Sequence, residues 1–126
     1  MKKFIITLLL LMFIPQSYAA IKFDEAYSQN GNTPMAVLVY SDWATNNVNI
    51  LKQFRNTQLT LKDTYNFVEL NISSKDAQSY MEKYTILPKI PYIMLYRGNC
   101  KFARLIDRDC ASNSSCIITK MKAFVY

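Results

Sequence analysis

Histidine is absent from this chain, and glycine occurs only twice, at Gly31 and Gly98. Without histidine no side chain titrates near neutral pH unaided, and the commonest metal ligand is missing. Most hydrolytic triads and zinc sites are excluded on that ground. Two isolated glycines cannot make the clustered loop that cradles phosphate or a dinucleotide. Cysteine is scarce and one-sided. Cys100, Cys110 and Cys116 are the only three, so residues 1–99 can carry no thiol chemistry. Basic residues exceed acidic ones, 15 to 9, yet beyond Lys2 and Lys3 they are scattered. Nucleic-acid binding would need a clustered basic face with aromatics between the charges, so no such partner is expected. The modest positive balance suits steering toward an acidic partner. The inventory points to no cofactor and no metal.

What is present begins with an export signal. Lys2 and Lys3 precede an apolar stretch from Phe4 to Ile14, and Pro15-Gln16-Ser17-Tyr18-Ala19 closes it. This is the pattern of a secretory signal peptide with cleavage after Ala19, where Ser17 and Ala19 supply the small residues. The apolar run is too short to cross a hydrocarbon core of roughly 30 Å, so no stable membrane span is expected after cleavage. A periplasmic or secreted location follows. Residues 20–126 suffice for one small domain. Loss of Lys2 and Lys3 takes the formal charge from +6 to +4.

Along that domain, Ile21-Lys22-Phe23 reads as a short edge strand, and Asp24 to Gln29 as a brief helix capped by Asp24 with Ala26 and Tyr27 inward. Ala36 to Tyr40 is a strand buried on both faces. A helix follows Asn46 or Asn47, with Val48, Leu51, Phe54 and Leu59 as its apolar stripe. Tyr65 to Ile72 is a second core strand. Ser73 or Ser74 then caps a helix carrying Ala77, Tyr80, Met81 and Tyr84. Pro88 and Pro91 forbid helix around Lys89-Ile90. Tyr92–Tyr96, a turn at Arg97-Gly98-Asn99, and Lys101–Ile106 form a hairpin. Asp107 to Ser115 is a polar loop, and a last helix carries Ile117, Ile118, Met121 and Phe124 behind a Ser114 or Ser115 cap. Helical crossovers join the first strands and a tight turn the last two. The expected fold class is therefore α/β, a central mixed sheet flanked by helices on both faces.

Two segments carry a family resemblance. Residues 35–47 read Met-Ala-Val-Leu-Val-Tyr-Ser-Asp-Trp-Ala-Thr-Asn-Asn, a buried strand running into a loop that opens a helix. Residues 89–98 give a strand introduced by Pro91 and closed by Gly98. Together they resemble the thioredoxin superfamily across essentially the whole of residues 20–126. In that family the loop after the tryptophan reads Cys-x-x-Cys, at a helix N-terminus that stabilises the attacking thiolate. Here Ala44 and Asn47 stand at the two cysteine places, and the buried acid of some thioredoxins falls on Leu38. The resemblance further implies a cis bond at Pro91, beside the loop. A groove for protein or extended peptide would then be formed by Trp43, Ala44, Thr45, Asn47, Ile90, Pro91 and Tyr92.

The three cysteines lie far from that loop. An extended Lys101–Ile106 would hold Cys100 roughly 20 Å or more from the other end of its strand, beyond disulfide reach. Cys110–Cys116 is the favoured bridge. Pairing of Cys100 with either of them stays open if the hairpin is shorter, and so does an intermolecular disulfide through Cys100. Nine tyrosines suit either a protein interface or a core that uses tyrosine in place of phenylalanine. The sequence expectation is a redox-inactive, non-enzymatic, exported binding module or envelope subunit. The alternatives are a thiol–disulfide oxidoreductase or isomerase using the C-terminal cysteines, and a secreted structural or host-directed protein.

Overall fold

A computed structural model describes residues 20–42, 47–85 and 87–125. The signal segment 1–19 and the groove residues Trp43, Ala44 and Thr45 lie outside the described residues. The elements are α1 (Phe23–Ser28), β1 (Met35–Tyr40), α2 (Asn47–Leu61), β2 (Asn66–Asn71), a 3₁₀ turn (Lys75–Ala77) leading into α3 (Gln78–Lys83), β3 (Tyr92–Arg97), β4 (Phe102–Ile106), α4 (Arg108–Ala111) and α5 (Ser114–Val125). The sheet order is β2-β1-β3-β4. β1 is parallel to β2 and antiparallel to β3, and β3 and β4 form the antiparallel hairpin.

Alternation along β1 divides the interior, because successive side chains point to opposite faces. Ala36 and Leu38 meet Ile50, Phe54 and Leu61 of α2, Ile117 and Met121 of α5, and Ile93 and Leu95 of β3. Met35, Val37 and Val39 meet Phe23 and Ala26 of α1, Ala77, Tyr80 of α3, and Tyr92 and Tyr96. With both faces covered, β1 reads as an unbroken apolar run.

Several local expectations are corrected. The proposed strand at 21–23 contracts to one bridge, Ala20 to Phe67, plus the Ile21 amide on the Phe67 carbonyl. Phe23 already begins α1, and Asp24 sits inside it, so no side chain caps that helix. Phe23 takes the buried place assigned to Tyr27, which is exposed. In α2 the buried stripe is Ile50, Phe54, Thr57, Gln58 and Leu61, while Val48 and Leu59 face solvent. The stripe shifts because Thr57 satisfies its hydroxyl on the Gln53 carbonyl and Gln58 binds Glu69. Hydrogen-bonded polar groups can occupy a core position that apolar periodicity would not assign to them.

Cys100 does not begin a strand. Gly98, Asn99 and Cys100 all take left-handed backbone, with φ of 63°, 57° and 63°. Such a conformation is unfavourable for non-glycine residues, and here it is held by the Cys100 amide, which donates to Asn30 Oδ1 at 2.7 Å. Nor is 107–115 an open loop. Asp107 caps α4 by accepting from the Cys110 amide, and Asn113, not Ser114 or Ser115, caps α5 through the amides of Ser115 and Cys116.

Candidate functional site

The Cys110–Cys116 disulfide is formed, with Cα atoms 5.3 Å apart. The two sulfurs occupy equivalent places in successive helices. Each cysteine stands three residues after its capping residue, Asp107 for Cys110 and Asn113 for Cys116. A cysteine in the first turn of a helix lies beside free amide groups and the positive end of the helix dipole, which favour thiolate over thiol. At α5 the amides of Ser115 and Cys116 are taken by Asn113 Oδ1 and that of Ser114 by Gln53, so Cys116 is left with the dipole of that twelve-residue helix. Cys110 is 8 % exposed and packed among Ile50, Phe54, Ile106 and Ile117, whereas Cys116 is half-buried and lies at the margin of that cluster. The two partners thus differ in burial, Cys116 being the more exposed residue. Gln53 of α2 accepts from the Ser114 amide at 3.1 Å, tying the start of α5 to the middle of α2.

The pair corrects the expectation of a redox-inactive, non-enzymatic module. That expectation rests on the absence of thiols in the Trp43 loop, but a closed cysteine pair stands at the start of another helix, one partner buried and the other more exposed. The sequence signal was the repeated spacing of a polar cap followed three residues later by cysteine, Asp107 to Cys110 and Asn113 to Cys116.

The peptide bond between Ile90 and Pro91 is cis, as the resemblance implies. Pro91 and Tyr92 are buried, and Ile90 is half-buried. A cleft of about 350 Å³ opens beside them, bounded by Pro88, Lys89, Tyr92, Leu105, Asp107, Arg108 and Asp109. It therefore runs from the segment before Pro91 to the α4 turn that carries Cys110. Asn47 opens α2, and Leu38 is fully buried at the centre of β1. A larger hollow, about 550 Å³, lies at the other end of β3 around Asn30, Arg97, Gly98 and Phe124, away from the cysteine pair.

Cys100 belongs to a different environment. Its half-buried thiol is pushed up by burial, an effect the Tyr84 hydroxyl and the Lys83 charge partly offset. Around it lies a tyrosine cluster. The Tyr80 hydroxyl is 2.9 Å from those of both Tyr92 and Tyr96, and the Tyr84 ring packs against Tyr80 and Tyr96. Burial pushes all four hydroxyls well above the ordinary tyrosine range. The tyrosines therefore build core on this side of the sheet, with their hydroxyls satisfied by one another.

Among the described residues no helix is long and apolar enough to cross a membrane, and no three metal-ligating side chains converge. No protein-family model and no curated protein sequence matches the chain. Solved structures do. The Trx4 domain of ERdj5 is similar over 85 % of this chain and 96 % of that one, at 16 % identity and a TM-score of 0.65. A chain from the complex of ferredoxin:thioredoxin reductase with thioredoxin f2 is similar over 85 % and 94 %, at 12 % identity and 0.64. The first two thioredoxin domains of Naumovozyma dairenensis Eps1p match over 84 % of this chain and 40 % of theirs, at 15 % identity and 0.65. These likenesses, with the mixed sheet and helices on both faces, show that the chain has the thioredoxin-superfamily fold and lacks a Cys-x-x-Cys motif at the position where that family's loop carries it.

Proposed function

We propose that the chain is an exported thiol–disulfide oxidoreductase acting on protein or peptide substrates through Cys110 and Cys116. The observation that carries the reading is the cysteine pair itself, a half-buried cysteine at the start of α5 bonded to a buried one in α4. In the oxidising direction a substrate thiolate attacks Cys116 Sγ. The Cys110–Cys116 bond breaks, and Cys110 leaves as a thiolate that takes up a proton. A second substrate thiolate then attacks the substrate sulfur of the mixed disulfide, and Cys116 leaves as the thiolate that the α5 N-terminus favours. The substrate dithiol loses two electrons to the pair and two protons, one of which ends on Cys110 and the other in solvent. The reverse sequence reduces a substrate disulfide.

The N-terminal signal supports export to the periplasm or beyond, where disulfides persist. The cleft next to Pro91 supports an extended substrate held along Ile90, Pro91 and Tyr92. Little of the Cys100 thiol is ionised at neutral pH once burial has raised it, so exchange is assigned to the other two. The test is turnover of a disulfide-bonded peptide followed by mass spectrometry. Cys110→Ser should accumulate a mixed disulfide on Cys116, whereas Cys116→Ser should form none. Turnover that survives both substitutions, or a wild-type protein with no exchange, overturns the assignment.

A further inference from the structure

The two edges of the sheet are finished differently. The β2 edge is covered where Ala20 and Ile21 bond to Phe67. β4 ends the sheet on the other side, and among the described residues no strand lies against it. Phe102, Ala103, Arg104 and Leu105 are all exposed there. Register with β3 places Phe102 and Arg104 on the face shared with Ile106, Leu95 and Arg97, and Ala103 and Leu105 on the opposite face.

Between residues 97 and 106 the charged side chains are Arg97, Lys101 and Arg104, all basic. The Arg97 guanidinium lies over the Phe102 ring at 4.4 Å. Basic residues commonly guard an edge against pairing. This edge nevertheless keeps apolar area, with Phe102 51 % and Leu105 46 % exposed. Leu105 also lines the cleft beside Pro91, and Asp107, which follows β4, caps the helix of Cys110.

We propose that the open edge of β4 binds an acidic, extended segment of a partner polypeptide by strand addition and delivers it to the cleft next to the cysteine pair. Strand addition takes affinity from backbone hydrogen bonds and specificity from alternate side chains. The five residues of β4 span about 17 Å, enough for several such bonds. Positive charge with no acid on the strand selects acidic over basic partners. A second copy of this chain is disfavoured, since self-pairing would lay two strands of like positive charge, each with Lys101 and Arg104, side by side. The proposal rests on the exchange reading only for the fate of a bound cysteine; docking itself does not.

The probes are cysteine-free peptides of alternating Glu and Val, the Lys/Val counterpart, and a Glu/Val peptide N-methylated at alternate residues. Hydrogen exchange should show amides within Phe102–Ile106 slowed about tenfold or more by saturating Glu/Val peptide. The Lys/Val and N-methylated peptides should bind at least about tenfold more weakly. Lys101→Glu with Arg104→Glu should reverse the preference, a gain that a misfolded variant could not show. Absent binding, protection elsewhere, no charge preference, or β4-mediated dimers would each overturn the proposal. The Cys110→Ser, Cys116→Ser protein, dead in exchange, should bind the Glu/Val peptide as the unaltered chain does. If it binds while the unaltered chain shows no exchange, only the oxidoreductase assignment falls.

Discussion

The two faces of the sheet solve the same packing problem with different chemistry. On the α2 and α5 side the interior is mainly aliphatic and phenylalanine, with Leu38, Ile50, Phe54, Phe67 and Ile117, and the disulfide sits at its rim. On the α1 and α3 side four tyrosines fill the equivalent space and join their hydroxyls to each other or to Cys100. An aliphatic core gains from burial of area and tolerates little polarity. A hydroxyl network adds direction, because each partner fixes the place of the next. The first face can therefore host a reversible covalent bond at its edge while its packing is unchanged. The second is committed to one arrangement and to one range of pH.

The sharpest way to break this comparison is through the cysteines. Cys116→Ser should remove exchange entirely while leaving the protein folded, since the sheet and both cores do not depend on the bridge. Near-ultraviolet circular dichroism alongside a peptide-exchange assay checks both halves. A protein unfolded by this change would show that the disulfide belongs to the core after all.

Next comes the tyrosine face. Tyr80→Ala should cost about 3–5 kcal/mol, the range for emptying a large aromatic site. Tyr80→Phe should cost about 1–3 kcal/mol, because it takes from the buried Tyr92 hydroxyl its Tyr80 partner and from Tyr96 one of its hydroxyl contacts. Urea unfolding measures both. A neutral Tyr80→Phe would reduce this face to an ordinary core with interchangeable aromatics.

Alkaline pH should separate the faces without mutation. Burial holds the hydroxyls of Tyr80, Tyr92 and Tyr96 above the ordinary value of 10.0 in the folded protein. In the unfolded chain they ionise near that value. Their contribution is thus complete below it and is lost as pH rises through and beyond it. The urea midpoint should fall steadily above about pH 10, and the Tyr80→Phe protein should fall less steeply. The smallest effect belongs to Asn113→Ala, which removes the α5 cap and should cost about 1 kcal/mol.

How much of this could be read in advance differs between the faces. Strand β1, the proline-led β3 and the Cys110–Cys116 pairing were legible, because apolar runs, proline restriction and strand length are local properties. The α2 stripe was not, since Thr57 and Gln58 are buried through partners distant in sequence or hidden in the helix backbone. The same holds for Cys100, whose turn depends on Asn30, seventy positions away. The misreading of function had one root. Attention to the empty places at Ala44 and Asn47 made the whole chain look inert, although nothing requires a thiol pair to occupy the family's usual loop.

The paired caps carry a kinetic consequence. Asp107 and Asn113 hold the backbone of their cysteines whether or not the sulfurs are joined, and Gln53 anchors the start of α5 independently. Breaking the bond therefore leaves the two thiols as close neighbours, at a high effective concentration with respect to each other. Any partner bound covalently to Cys116 is then expelled by Cys110 faster than free thiols in solution could release it. Captured partners should be short-lived on the unaltered protein and isolable only when the buried cysteine is gone.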